Sequence, residues 1–352
     1  MPLSRRRCLL SIAAGCGALL APRGLWAQAG DSDRFERVAG ELIKPATQAA
    51  IDRGLQWLVA RQNDDGSFGS ANGYSRNAGV TGLIGMAFMS GGSMPGRGPH
   101  GEVVSRIVQF ILKHSQESGL IVTPSAVSHG PMYDHGFATL FLAEVYGMSP
   151  EPELREKLVK AVQRIIESQN KEGGWRYQPV RADADISVTI CQIMALRAAR
   201  NAGIFVPNET IDACIEYVKR AQNPDGGFMY MLTGGPSQFP RSAAGVVALY
   251  SAGIYEGDEI EKGLEYLSQH LPKDDAFSRE SHYFYGQYYA VQAMWHAGGS
   301  HWQKWYPAIH DALLDRQRDD GAWSDAICNE YGTAMACIIL QMPNNYLPIF
   351  QR

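Results

Sequence analysis

Four carboxylic acid side chains are the residues of this 352-residue sequence best suited to acid–base chemistry: Asp134, Asp183, Asp185 and Glu330. A protonated carboxyl group can give a proton to a substrate, and two carboxyl groups can divide the roles of acid and base in hydrolysis. Asp185 is the strongest candidate for an acid. Asp134 and Asp185 also have a purely structural interpretation, because aspartate is favoured at the N-cap of a helix.

A second set of residues could hold a substrate beside those carboxyl groups. These are Arg76, His135, Arg241, His282, Tyr285, Tyr288 and Tyr331. Aromatic residues are concentrated between positions 283 and 295, where their rings could line a cavity and contact an apolar chain, a carbocation or a sugar. The alternative is that these rings only fill the core of the protein.

The elements that position these residues are repeats. A glutamine followed four residues later by glycine, and then by phenylalanine or tryptophan, recurs along the chain at intervals of about 50 residues. The full motif begins at Gln62, Gln169, Gln222 and Gln317, and degenerate copies begin at Gln116 and Gln269. Six such units account for most of the sequence.

Each unit is predicted to contain two helices. The first is amphipathic and ends at the motif, where glycine can adopt the left-handed conformation that closes a helix. The second is apolar on most sides, which is typical of a buried helix. The second helices are predicted at 80–88, 137–145, 186–199, 243–251, 285–295 and 333–340. The fold class is therefore all-α, an α/α toroid of six helix pairs with an inner and an outer ring. The N-terminal ends of the inner helices would bring the candidate residues to one mouth, where a carboxylate or an anionic ligand is favoured.

The glutamine–glycine–aromatic turn resembles the repeats of squalene–hopene cyclases and of protein prenyltransferase β subunits. The stretch 173–203 is similar to the prenyltransferase and squalene oxidase repeat proteins of planctomycetes. The resemblance covers about residues 45–352 and implies membership of the terpenoid cyclase/prenyltransferase superfamily. It is specific for the fold, and one fold supports many activities.

The resemblance also bears on the acid. Asp183-Ala184-Asp185-Ile186 resembles the Asp-x-Asp-Asp motif with which squalene–hopene cyclases protonate an alkene, but the last aspartate is missing. In the related prenyltransferases, zinc is held by Asp, Cys and His. Asp185, Cys328 and His282 are the corresponding residue types, but no motif around Cys328 matches that family. The sequence therefore predicts no metal and no cofactor.

The first 29 residues are predicted to be a twin-arginine signal peptide. Arg5, Arg6 and Arg7 precede an apolar run over 9–21, and cleavage is expected near Ala29. Residues 30–44 would form a short linker and 45–352 a single toroid domain. The predicted location is the periplasm or cell envelope, with lipidation of Cys16 as the alternative. No later stretch is apolar enough to span a membrane.

The net charge of −4, without a basic stripe in the mature chain, excludes a nucleic-acid partner. The favoured function is an exported protein that binds or transforms an apolar isoprenoid or lipid, as a terpene cyclase, isomerase or transferase would. A non-catalytic binding or scaffold module and a polysaccharide lyase or hydrolase remain as alternatives. An open cavity faced by Asp185 or Glu330 would favour an enzyme, and a filled cavity would favour the module.

Overall fold

The computed structural model of the chain describes residues 42–70, 73–124, 130–272 and 282–351. In these ranges there are twelve α-helices and two short 3₁₀ helices, and no β-strand beyond isolated bridges. The helices are α1 (Pro45–Val59), α2 (Ala78–Ser90), α3 (Gly101–Lys113), α4 (Pro131–Met148), α5 (Pro152–Ser168), α6 (Ile186–Asn201), α7 (Asn208–Arg220), α8 (Phe239–Ser251), α9 (Asp258–Ser268), α10 (Tyr283–Ala297), α11 (Gly299–Arg316) and α12 (Asn329–Leu340). The predicted signal peptide and most of the predicted linker lie outside the described residues.

The even-numbered helices form an inner ring in which each packs against the next, and α12 packs against α2 to close it. Every residue of α2 is buried, as expected for a helix that is apolar on all sides. The odd-numbered helices bury one face and lie outside the ring; α5, for example, packs on α4 and α6. The predicted α/α toroid of six helix pairs is confirmed.

The glutamine of each full motif joins two neighbouring helix pairs. Gln222 Nε2 donates to the carbonyl of Gly226 in its own turn at 3.0 Å and to the carbonyl of Glu259 in α9 at 2.8 Å. Gln317 donates in the same way to Ala50 of α1, at 2.8 Å. The equivalent bonds at the other two full motifs run from Gln62 to Val103 and from Gln169 to Thr210. The last pair is thus attached to the first by the same contact that joins the interior pairs.

The glycine of the motif is required by close packing. Gly173 has φ of +99°, and a Cβ at this position would lie 2.0 Å from the carbonyl oxygen of Ala213 in α7. The aromatic residue that follows connects the turn to its own pair of helices. Trp175 donates its indole Nε1–H to the Ile165 carbonyl of α5 at 2.8 Å and its backbone N–H to Thr189 Oγ1 of α6 at 3.1 Å.

The C-terminal segment covers the end of the ring at which the inner helices terminate. Gln341 Nε2 donates to the carbonyl of Ala87 in α2 at 2.9 Å. Arg197 of α6 donates to the carbonyls of Tyr250 and Gln351, at 3.0 and 2.7 Å. In the described ranges, no helix combines the length and apolar character that crossing a bilayer requires.

Candidate functional site

A pocket of about 560 Å³ lies at the opposite end, where the inner helices begin. Its apolar lining includes Val80 and Leu83 of α2, Phe137 of α4, and Ile327 just before α12. The sequence predicted that polar residues from several repeats would meet at this mouth, and the pocket lining contains such residues from all six helix pairs.

Each helix pair contributes one tyrosine to the pocket wall. These tyrosines are Tyr74, Tyr133, Tyr177, Tyr230, Tyr285 and Tyr331. A tyrosine offers an aromatic face to an apolar or cationic group and a hydroxyl group for hydrogen bonding. Of the six, Tyr285 and Tyr331 were among the predicted substrate-binding residues. Tyr285 donates its hydroxyl hydrogen to the Ser187 carbonyl at 2.9 Å.

Asp134 is the predicted acid that faces the pocket. Pro131 opens α4, so Asp134 lies inside the first helical turn and does not cap the helix. Its side chain is 4% exposed and accepts one side-chain hydrogen bond, from Asn77 Nδ2 at 2.9 Å. Burial raises the pKa of Asp134 to about 7, against the lowering effect of the Asn77 bond. A large share of Asp134 is therefore a neutral carboxylic acid near neutral pH.

Asp185 is fully buried behind the pocket wall and is not part of the pocket lining. Its Oδ1 accepts the backbone N–H of Val188 at 2.9 Å, so the predicted N-cap role is confirmed. Its Oδ2 accepts the hydroxyl hydrogen of Tyr230 at 3.2 Å and lies 3.7 Å from Arg176 Nε. Burial raises the pKa of Asp185 to about 6, and these donors and the cation lower it.

A cation and a second carboxyl group also line the pocket. Arg241 is fixed by donating Nε–H to the Phe228 carbonyl at 3.0 Å, and within the described ranges it forms no ion pair. His282 caps α10 in the left-handed conformation, with φ of +59°. It lies close enough to Asp325 to affect that group's pKa, which burial raises. Asp325 accepts the backbone N–H of Ile327 at 2.8 Å.

Five other predicted residues lie outside the pocket lining: Arg76, His135, Asp183, Tyr288 and Glu330. Asp183 is paired with Arg176 and Arg76 with Asp65, both at the surface. Glu330 is buried, and its Oε2 has no hydrogen-bond partner among the described residues.

His135 and Tyr288 belong to the interior of the protein. The His135 ring accepts the N–H of Ile121 at Nδ1, so its Nε2 carries the hydrogen that bonds the Ala161 carbonyl at 3.1 Å. Burial lowers the pKa of His135 to about 4, which keeps the ring neutral. Tyr288 packs against Phe350 of the C-terminal segment.

Several pocket residues are not among the predicted site residues, although the repeat pattern contains a signal for three of them. Tyr177, Tyr230 and Asp325 each stand two residues after the aromatic residue of a motif. The three residues therefore occupy one equivalent position of the repeat. Tyr74 has no equivalent signal, because it follows its motif at a longer distance.

The described ranges contain no group of three or more His, Cys, Asp and Glu side chains arranged to hold a metal ion. Asp185, Cys328 and His282, which correspond in type to the zinc ligands of prenyltransferases, therefore do not form such a cluster.

Comparison with known proteins places the chain in a family. The model of the prenyltransferase α/α-toroid domain matches residues 38–160 and 142–323. The chain belongs to the prenyltransferase α/α-toroid family. This family lies within the terpenoid cyclase/prenyltransferase superfamily that the repeats resemble.

One curated relative of this toroid is drimenyl diphosphate synthase of Streptantibioticus cattleyicolor. It is 29% identical over 111 residues, which are 32% of this chain and 20% of the relative's length. The chain thus spans about a fifth of that protein.

Solved structures of two kinds of enzyme share the toroid. One is a type II terpene cyclase variant from Scytonema in complex with geranylgeranyl dihydroxybenzoate, with 14% identity and a TM-score of 0.59; the match covers 86% of this chain and 98% of the cyclase. The other is an α-1,6-mannanase variant from Salegentibacter in complex with α-1,6-mannotetrose, with 6% identity and a TM-score of 0.61, covering 86% and 100%. At these identities the likeness concerns the fold alone.

Proposed function

We propose that this toroid binds an apolar isoprenoid or lipid in the tyrosine-lined pocket and that Asp134 donates a proton to it. The observation that carries the proposal is the position of Asp134, a buried carboxyl group in the wall of an otherwise largely apolar and aromatic pocket. Export by the predicted signal peptide is part of the same proposal.

The size and lining of the pocket support an apolar ligand. Pockets that enclose small molecules usually measure about 300–1,000 Å³, and this pocket falls in that range. Val80, Leu83 and Phe137 offer contacts to a hydrocarbon chain, while the tyrosine faces can stabilise positive charge that develops along it. Arg241 would lie beside a polar or anionic end of the ligand.

The state of Asp134 supports acid chemistry. An acid must hold its proton at the working pH, and burial achieves this for Asp134 because it outweighs the hydrogen bond from the neutral Asn77 amide. The drimenyl diphosphate synthase and the type II terpene cyclase among the similar proteins are consistent with isoprenoid chemistry on this fold.

A carbohydrate-active enzyme is the second candidate. Asp134 and Asp325 both line the pocket, and a glycosidase needs two carboxyl groups. The mannanase that shares the fold is consistent with this alternative. A purely binding or scaffold role would leave both carboxyl groups without a reaction to perform.

The proposal is tested by extracting the purified protein with organic solvent and analysing the extract by mass spectrometry. We expect a stoichiometric isoprenoid or lipid from the wild type and roughly tenfold less from Leu83→Trp, which fills the pocket. Val159→Trp, on the outer surface of α5, is the matched control and should retain the ligand.

Empty extracts from all three proteins, together with no binding of added squalene or geranylgeraniol, would contradict an apolar ligand. Binding of mannose oligosaccharides by those same preparations would favour the carbohydrate alternative.

A further inference from the structure

A chain of hydrogen bonds leads from the pocket wall to the buried carboxyl group of Asp185. Tyr177 and Tyr230 both line the pocket, and their hydroxyl oxygens are hydrogen-bonded to each other. The Tyr230 hydroxyl also donates to Asp185 Oδ2 at 3.2 Å. Asp185 itself does not line the pocket, so the two tyrosines connect it to a bound ligand.

The donors in this chain can be assigned because each hydroxyl group carries one hydrogen. An ionised Asp185 can only accept, so Tyr230 gives its hydrogen to the carboxylate. Tyr177 must then give its own hydrogen to the oxygen of Tyr230. Having given its hydrogen to Tyr230, the Tyr177 hydroxyl group can only accept a further hydrogen bond.

The two tyrosines are held in place by their backbones. The Tyr177 carbonyl accepts the N–H of Met132 at the start of α4, at 3.2 Å, and the Tyr230 carbonyl accepts the N–H of Ile186 at the start of α6, at 3.0 Å. Gly130 permits the close approach of Tyr177 to the start of α4, since a Cβ at position 130 would lie 2.5 Å from the Tyr177 carbonyl oxygen. The backbones of both tyrosines are therefore fixed to the ends of inner helices that also surround the pocket.

The surroundings of Asp185 and Asp134 differ in a way that separates their roles. Asp185 caps a helix N-terminus, accepts a tyrosine hydroxyl and lies 3.7 Å from the Arg176 guanidinium, all of which favour its carboxylate form. Asp134 also lies in the first turn of a helix, but within the described part of the chain it has no neighbouring cation, and the one side chain that donates to it is the neutral Asn77 amide. The titratable and charged groups that interact with Asp185 from all neighbouring elements are Arg176, Tyr133, Cys191, Tyr217, Tyr230 and Tyr285.

We propose that Tyr177, Tyr230 and Asp185 form a proton relay that removes a proton from the bound molecule after Asp134 has added one. This inference rests on the proposed function, since it supplies the base that completes that reaction. The proton that Asp134 adds to an alkene leaves a carbocation. The C–H bond next to this carbocation then breaks, and its electron pair forms the new C=C bond. The proton passes to the Tyr177 oxygen while the Tyr177 hydrogen moves to Tyr230 and the Tyr230 hydrogen moves to Asp185. Proton exchange with solvent then returns Asp185 to its ionised form and Asp134 to its protonated form.

Turnover should therefore require Asp185 ionised and Asp134 protonated. With burial raising the pKa of Asp185 to about 6 and that of Asp134 to about 7, activity should peak between these values. Burial raises the pKa of Tyr230 as well, so this hydroxyl group can pass a proton without ionising itself.

The relay is tested with Tyr230→Phe and Tyr177→Phe, using geranylgeranyl dihydroxybenzoate and squalene as probes. We expect each variant to bind the probe like the wild type but to form the alkene product at roughly a hundredth of the rate, the loss typical of a removed base. Tyr217→Phe is the matched control, because this buried hydroxyl group lies near Asp185 but outside the relay. It should keep wild-type turnover.

A second readout follows the Asp185 carboxyl group by infrared titration, with Asp185→Asn to assign its band. Tyr230→Phe should raise the pKa of Asp185 by removing a donor to the carboxylate, while Tyr177→Phe should change it far less. Full alkene formation by Tyr230→Phe would overturn the relay and leave the proposed function intact. If the wild type converts no probe, the proposed function fails, and an unchanged infrared titration in Tyr230→Phe would then overturn the relay independently.

Discussion

Asp134 illustrates how burial can prepare an acid without a special motif. The side chain is 4% exposed and has one neutral hydrogen-bond donor, so its charged form lacks the support that Asp185 receives from Arg176 and a helix cap. Asp134 is thereby favoured as a proton donor at a pH at which an ordinary aspartate is ionised.

Removing this ionisable group should make stability less dependent on pH. The pKa of Asp134 is raised to about 7 in the folded protein, above the roughly 3.9 of an unfolded chain, so the folded state binds more protons between those values. Stability is therefore lost as pH rises through this window. We expect Asp134→Asn to raise the free energy of unfolding relative to the wild type by roughly 1–4 kcal/mol at pH 8 and by much less at pH 4.

Urea unfolding at both pH values measures this difference. Asp212→Asn, on the exposed side of α7, makes the same chemical change away from the pocket. An effect of Asp134→Asn that is equal at pH 4 and pH 8 would mean that Asp134 is not held in its neutral form by the fold.

For individual residues, the sequence predicted the chemical types at the site better than the position of each side chain. Asp134 and Asp185 both qualified as N-caps, yet only Asp185 is one, because Pro131 starts α4 three residues before Asp134. Side chains on adjacent helical positions point about 100° apart, so a small shift in the start of a helix decides which of them faces a pocket. Contacts between repeats, such as that of Tyr177 with Tyr230, arise only in the assembled ring.

At the four full motifs, which begin at Gln62, Gln169, Gln222 and Gln317, the turn that ends the outer helix fixes the spacing between repeats. Its glycine lies directly on the backbone of the next outer helix, and its glutamine bonds a carbonyl of that helix. The two requirements explain why glutamine and glycine recur four residues apart.

The packing requirement can be separated from the backbone requirement by comparing two glycines. Gly173 and Gly203 both have positive φ, +99° and +81°, but a Cβ at Gly203 would meet nothing within 4 Å. We expect Gly203→Ala to cost about 1 kcal/mol from backbone conformation alone. Gly173→Ala should cost roughly 3 kcal/mol or more, because its Cβ must displace the Ala213 carbonyl of α7. If denaturant unfolding gives the same loss of unfolding free energy for both variants, the close approach of Gly173 to the Ala213 carbonyl does not contribute to stability.

The elements were largely predictable, since amphipathic and fully apolar helices alternate with a regular period. That pattern alone distinguishes outer from inner helices. The C-terminal cover was not predictable, because residues 341–351 have no repeat pattern and are held by bonds such as that of Arg197 to the Gln351 carbonyl.

At the scale of the toroid, the described residues between 42 and 351 form six helix pairs in a closed ring whose two ends differ. Gln317 bonds the Ala50 carbonyl of the first helix, so that the ring closes with the contact used between interior pairs. The C-terminal segment covers one end, and the tyrosine-lined pocket occupies the other. This arrangement gives a one-sided pocket into which every repeat contributes a tyrosine, although each repeat contributes different polar groups.

The most direct test of proton donation by Asp134 is deuterium transfer. Wild type and Asp134→Asn are incubated in D₂O with geranylgeranyl dihydroxybenzoate and with squalene, and the products are analysed by mass spectrometry. We predict that the wild type forms a product with deuterium bound to carbon and that Asp134→Asn binds the same probe but forms none. Deuterated product at the wild-type rate from Asp134→Asn would contradict the assignment of the acid, and the absence of binding and product with the wild type would contradict the proposed function itself.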